Sequence, residues 1–123
     1  MTNAPHFGDD YFFKSADLKS TAQVSEPFRL GGTQGGIQIR VWADGTIATS
    51  SGKTITVKVE TAPAEDGAWA AVVTETFTAK SAAVTGDIFK YIPANGESFL
   101  RVTVTGSDGT TGKFNAAPEY LPR

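Results

Sequence analysis

The chain of 123 residues has no cysteine and one histidine, His6. Without cysteine it can form neither a disulfide nor a thiolate metal site, so its stability must come from packing, with or without subunit contacts. Any mechanism that needs a histidine base or a pair of histidine ligands would rest on His6 alone. We expect His6 to be a solvent-exposed residue near the N-terminus, and we expect no metal site and no cofactor.

The common motifs of catalysis and nucleotide binding are also missing. There is no G-x-S-x-G, no H-E-x-x-H and no G-x-G-x-x-G between a strand and a helix. Gly52-Lys53-Thr54 is like the end of a phosphate-binding loop, but Ile47 stands where the first glycine should be. The acidic pairs Asp9-Asp10 and Glu65-Asp66 lack the ligand spacing of a calcium loop. The chain is therefore predicted not to be an enzyme.

Charge and hydropathy exclude two further classes of partner. The net charge is −2, and the lysines and arginines are scattered, so no patch for a nucleic-acid backbone is expected. No segment approaches the roughly 18 to 20 apolar residues of a membrane span. The first ten residues have neither the basic start nor the apolar stretch of a signal peptide. We expect a soluble protein that is used without Sec export and binds no membrane.

Alternation of apolar and polar residues predicts an all-β fold, an antiparallel sandwich or barrel. The clearest strands are Gly36–Trp42, Lys53–Thr61 and Ser98–Thr105, and weaker ones are Val72–Thr78, Asp87–Ile92 and Lys113–Ala117. Turns are predicted at Asp44-Gly45, Ser51-Gly52, Asp66-Gly67, Asn95-Gly96 and Asp108-Gly109. The predicted core is the apolar face of the three clear strands: Ile37, Ile39, Val41, Ile55, Val57, Val59, Leu100, Val102 and Val104.

Aromatic residues are concentrated near the N-terminus. Residues 1–15 are predicted to form an extended arm, and residues 16–123 a single β-sandwich domain. The arm carries Phe7, Tyr11, Phe12 and Phe13, and it either packs on its own sandwich or reaches a neighbouring subunit. Trp42 is predicted to pack at an edge or to contact another subunit.

The order of strands and turns also carries a family resemblance. The segments concerned are Gly36–Val41, Thr54–Ala62, Glu65–Trp69, Val72–Phe77, Gly86–Pro93, Ser98–Val104 and Gly112–Ala116. Over about Leu18 to Ala117 the chain resembles the jelly-roll capsid cement, or decoration, proteins of tailed bacteriophages. The aromatic N-terminal stretch and the tail Pro118–Arg123 depart from that pattern.

The resemblance implies a jelly-roll sandwich that binds the outside of the assembled phage head, usually as a homotrimer. The partner would be the major capsid protein, the location the outer surface of the virion, and the role stabilisation of the shell against internal DNA pressure. Phe7, Tyr11, Phe12, Phe13 and Trp42 then become candidates for subunit or capsid contacts.

A second function class remains open, a carbohydrate- or receptor-binding sandwich module of a phage or a secreted protein. Trp42 and Trp69 could stack on sugar rings in such a module, although packing on the sandwich is the favoured interpretation for both. Binding to a glycan array would separate this class from the cement proteins.

Overall fold

The computed structural model describes residues 11–29, 37–64, 67–92 and 99–120, which form β-strands and turns without a helix. The strands are β1 (Phe13–Asp17), β2 (Gln23–Val24), β3 (Phe28–Arg29), β4 (Ile37–Ala43), β5 (Ile47–Ala48), β6 (Thr54–Ala62), β7 (Ala70–Thr78), β8 (Ala83–Val84), β9 (Asp87–Tyr91), β10 (Phe99–Gly106) and β11 (Lys113–Tyr120). The prediction of an all-β chain is confirmed.

The described strands form two antiparallel sheets that pack face to face. The first sheet has the order β1-β11-β4-β9, and the second has the order β2-β10-β6-β7, with β3 also paired to β10. The short strands β5 and β8 pair with each other. Because β4, β9 and β11 lie in the first sheet and β6, β7 and β10 in the second, the chain crosses repeatedly between layers. The predicted antiparallel sandwich is confirmed.

The hydrophobic core lies between the two sheets. Eight of the nine predicted core residues are at most 2% exposed: Ile39, Val41, Ile55, Val57, Val59, Leu100, Val102 and Val104. The side chain of Ile37 lies outside the described part of the structure. Full burial of such an aliphatic side chain stabilises a fold by roughly 1.5–3 kcal/mol. These eight side chains together are therefore a major stabilising contribution to the fold.

Strand β11 is longer and more central than its sequence predicts. It continues beyond Ala117 to Tyr120 and lies between β1 and β4, although Pro118 is a residue expected on edge strands. The Ala116 carbonyl accepts the Phe12 N–H, so the backbone groups at alternate positions, including Pro118, point to the β1 side. Pairing with β1 extends only as far as Ala116. Proline is tolerated because its missing N–H falls beyond the end of β1.

Three predicted turns have the expected backbone. Gly45, Gly52 and Gly109 adopt φ angles of 82°, 92° and 84°, a region that favours glycine. The turn at Asn95-Gly96 and the first residue of the Asp66-Gly67 turn lie outside the described residues.

The segment predicted as an arm belongs in part to the sandwich. Strand β1 starts at Phe13, so the sandwich begins earlier than the predicted boundary at residue 16. Phe12 is 8% exposed and lies in the core, where its ring meets that of Phe28 edge to face at 5.7 Å. The ring of Phe13 lies 5.1 Å from that of Phe114. Of the two alternatives for the arm, packing on its own sandwich therefore holds for Phe12 and Phe13.

Candidate binding surface on the first sheet

The outer face of the first sheet carries a cluster of aromatic and charged side chains. Along β4, Ile39 and Val41 point into the core, so Arg40 and Trp42 point outward. Strand β11 places Asn115 opposite Trp42. We call this cluster the Arg40–Trp42 surface, and its members are Tyr11, Arg40, Trp42, Asp87, Lys90, Asn115 and Glu119.

Arg40 is the centre of this surface. Its Nε donates to Oδ1 of Asp87 at 2.6 Å, and its guanidinium donates to Oε2 of Glu119 at 3.1 Å. The same guanidinium lies 4.5 Å from the ring centroid of Trp42. A planar guanidinium suits two carboxylates and an aromatic face at once. The side chain is therefore held in one orientation before any partner binds.

Asp87 is held in its charged form by its neighbours. Burial by itself would raise the pKa of Asp87, but hydrogen bonds from Arg40 and Lys90 outweigh it and lower that pKa below 3.8. Burial likewise opposes the charge of Arg40, yet its hydrogen bonds to Asp87 and Glu119 raise its pKa. Glu119 is only 5% exposed, and Arg40 is its ion-pair partner. Arg40 thus joins Asp87 and Glu119 in one ion-pair network, to which Lys90 is linked through Asp87.

An aromatic pair continues the surface on one side. The rings of Tyr11 and Trp42 lie 6.3 Å apart with a tilt of 48°, and both residues are half-buried. The ammonium of Lys14 lies 5.4 Å from the Tyr11 ring centroid. Tryptophan, tyrosine and arginine are the residues most enriched among the energetic hot spots of protein interfaces. The Arg40–Trp42 surface has the composition of a docking site.

The structure separates the five predicted contact residues. Tyr11 and Trp42 meet on the outer face, Phe12 and Phe13 pack inward, and Phe7 lies outside the described residues. His6 also lies outside them. The sequence analysis missed Arg40, Asp87 and Glu119. The period-2 pattern could have placed Arg40 beside Trp42, whereas no local signal links it to carboxylates 47 and 79 residues away.

A similar contact occurs on the outer face of the second sheet. The Arg101 guanidinium lies 4.4 Å from the ring centroid of Trp69, and its Nε donates to Oε1 of Glu60 at 2.9 Å. Both tryptophans thus have one ring face covered by an arginine of their own chain. A sugar could stack on that face only after displacing the guanidinium.

Neither a metal cluster nor a membrane helix occurs among the residues that the structure describes. No group of three histidine, aspartate or glutamate side chains there could hold a metal ion. The same residues contain no helix with the length and apolar character of a membrane span.

Comparison with known proteins identifies no relative: no family model, no curated protein and no solved structure matches the chain.

Proposed function

We propose that the protein is a structural decoration protein that binds the outside of an assembled bacteriophage head as a homotrimer and stabilises the shell. The proposal starts from the sequence resemblance to jelly-roll cement proteins. The observation that carries it is the Arg40–Trp42 surface, where Arg40 is fixed by Asp87, Glu119 and the Trp42 ring.

The strand order supports the jelly-roll part of this proposal. If β2 and β3 count as one broken strand and the β5–β8 pair is set aside, eight main strands remain. The first sheet then holds the first, eighth, third and sixth strands, and the second holds the second, seventh, fourth and fifth. Such interleaving is expected when two Greek keys wind into a double sheet.

The physical case for docking is that little has to be ordered on binding. Immobilising a flexible side chain at an interface costs about 0.5–1.5 kcal/mol, whereas Arg40 and Trp42 are already held by contacts within the sheet. A ligand that binds only the assembled shell stabilises it by RT ln(1 + [L]/Kd) per site, which keeps rising with ligand concentration. Three such contacts made together by a trimer on a symmetric shell would raise the effective affinity further.

Co-sedimentation with purified phage heads tests the proposal, with Trp42→Ala and Trp69→Ala as matched variants. Each substitution removes a half-buried tryptophan stacked on an arginine, but on opposite faces of the sandwich. We expect Trp42→Ala to weaken head binding by roughly 2 kcal/mol, about thirty-fold, and Trp69→Ala to leave it unchanged. Equal losses for the two variants would show that the surface is wrongly assigned.

A second binding measurement tests the capsid role independently of the surface residues. Wild-type protein should bind assembled heads much more tightly than unassembled capsid protein. If it binds neither, or both with the same affinity, the protein is not a cement protein.

A second candidate function, binding of a glycan or receptor sugar, draws on the half-buried Tyr11–Trp42 ring pair beside the charged network. Aromatic rings flanked by hydrogen-bonding groups are the chemistry of a sugar site. A glycan array with wild-type protein and Trp42→Ala tests it, since specific binding that disappears in the variant would favour this function over capsid binding.

A further inference from the structure

Among the described residues, the two sheets meet through aromatic packing along one side of the sandwich and leave a cavity along the other. On the first side, the ring of Phe12 meets that of Phe28 across the gap between the sheets at 5.7 Å. On the other side, β7 and β9 are the outermost described strands of their sheets, and a cavity of about 270 Å³ lies between them. Its walls include Val73, Phe77, Ile88, Phe89 and Tyr91. Glu75 and Lys90 also line it, and the Lys90 ammonium pairs with Asp87 at 3.2 Å. We call this cavity the β7–β9 cleft.

Strand β7 offers a long unpaired edge to this cleft. It has nine residues, and within the described ranges no strand pairs with it on the side away from β6. Val73 and Phe77 face the core opposite Val59 and Ile55, and both are half-buried. None of the described strands covers them on the side away from β6. Free backbone groups beside half-buried apolar side chains are what an added strand requires.

The charge of Glu75 restricts the kind of strand that can pair with the free edge of β7. Glu75 stands between Val73 and Phe77 in the same core-facing row, opposite Val57, which is 1% exposed. Its side chain makes no hydrogen bond or ion pair with the described part of the chain. Glu75 is exposed, and an apolar or acidic strand laid over it would take its carboxylate out of water without supplying a cation, which is unfavourable.

The same argument disfavours a second copy of β7 as the occupant. Antiparallel pairing of two β7 edges would bring two Glu75 carboxylates onto one face of the joined sheet, and like charges there repel. Inward-pointing charges are one of the devices by which proteins prevent indiscriminate edge pairing. A strand with a cation in the matching row removes that penalty.

We propose that the β7–β9 cleft binds an extended segment of another protein that carries a basic residue flanked at alternate positions by apolar residues. The segment adds to β7 as a further strand, places its apolar side chains against Val73 and Phe77, and pairs its cation with Glu75. The cleft, about 270 Å³ in volume, lies beside the edge of β7, where the core-facing side chains of an added strand would point. This inference does not depend on the capsid role.

Synthetic peptides titrated into the full chain and followed by NMR amide shifts test the inference. The probe is a short peptide of alternating valine and threonine with one lysine at the centre of the valine row, and the comparison peptide has glutamate there. For wild-type protein we expect at least a ten-fold preference for the lysine peptide, with slower hydrogen exchange confined to β7. Glu75→Lys should invert that preference, and Glu75→Gln should abolish it.

Glu26→Lys is the matched control, because Glu26 is also an exposed glutamate but lies between β2 and β3 on the other side of the sandwich. It should leave the preference unchanged. The inference is wrong if wild-type protein binds the lysine peptide no better than roughly 1 mM, or binds both peptides equally. It is also wrong if Glu26→Lys changes the preference as Glu75→Lys does. No phage head enters this assay, so its failure would leave the proposed function untouched.

Discussion

Ser15 donates its backbone N–H to Oδ1 of Asn115 at 2.7 Å, which links β1 to the middle of β11 across 100 residues of sequence. Ser15 is the one non-glycine residue with a positive φ, 50°, among those described, and it lies where the β1–β11 register shifts. Its hydroxyl also donates to Oδ2 of Asp44 at 2.6 Å. Asn115 thus satisfies the donor that the bulge in β1 turns away from the regular ladder.

Asn115→Ala should destabilise the fold by about 1–2 kcal/mol, because it leaves the Ser15 N–H without an acceptor in a partly buried place. Ser15→Ala keeps that hydrogen bond and removes only the exposed contact to Asp44, so its effect should stay within about 0.5 kcal/mol. Urea unfolding of both variants gives the comparison. Equal losses would mean that the bulge does not depend on Asn115.

Gly112→Ala should be more damaging than Gly109→Ala. Both glycines have positive φ, 141° and 84°, and the conformation alone costs a substituted residue about 1–3 kcal/mol. A Cβ on Gly112 would also lie 2.9 Å from Cα of Ile47, whereas one on Gly109 has no neighbour nearer than 3.7 Å. Overpacking against backbone adds roughly 1–3 kcal/mol. Thermal unfolding should therefore show the larger drop in Tm for Gly112→Ala, and similar drops would contradict the close packing.

Arg40→Met should destabilise the protein chiefly by leaving Glu119 buried without a cation. We expect a loss of roughly 1–3 kcal/mol, below the range for fully buried pairs because the Arg40 side chain is 30% exposed. Adding Glu119→Gln should recover part of it, which a double-mutant cycle measures. The control is Lys113→Met, whose ion pair with Asp17 is exposed and should contribute little. If Glu119→Gln gives no recovery, the two residues are not coupled.

Breaking the exposed ion pair between Asp17 and Lys113 should change the pKa of Asp17. A hydrogen bond from Lys113 to Asp17, together with its charge, holds the pKa of Asp17 below 3.8. Lys113→Met should move that pKa back towards 3.8 and leave the pKa of Asp87 unchanged. Carbon-detected NMR titration of the carboxyl groups measures both. A constant pKa for Asp17 would show that the pair does not form in solution.

Lowering the pH should reduce the free energy of unfolding, in part because Asp87 becomes protonated. Its folded-state pKa is lowered because hydrogen bonds from Arg40 and Lys90 outweigh the effect of burial. Such a group contributes stability above its unfolded pKa, and that contribution is lost as the pH falls through the folded value. Between neutral pH and pH values below 3.8, Asp87→Asn should lose less stability than wild type. Parallel losses in denaturation experiments would exclude this contribution.

Two truncations separate the roles of the N-terminal residues. Removal of residues 1–14 takes away Phe12 and Phe13, which pack on the sandwich, and should destabilise it by several kcal/mol, since a single buried phenylalanine is worth about 3–5 kcal/mol. Removal of residues 1–10 retains both rings. If the shorter truncation remains trimeric by light scattering and binds heads as wild type does, residues 1–10 make no essential subunit or capsid contact.

The amino-acid sequence by itself determined the strands whose two faces differ. In β4, β6 and β10 the apolar residues recur at every second position, and that period alone decides which side chains can be buried together. The buried residues of these three strands, and the turn at Gly109, could therefore be predicted from the local sequence pattern alone.

Only the tertiary structure decided which strands pair and which polar groups meet. In β1 the bulge at Ser15 breaks the alternation of inward and outward side chains. The strand that pairs with β1 is β11, at the other end of the chain. Nothing local distinguishes Asp87 and Glu119 from the other acids, yet β9 and β11 flank β4 and bring both to Arg40. Sheet pairing joins residues by register across long separations, so such contacts depend on the topology of the whole chain and not on any segment of it.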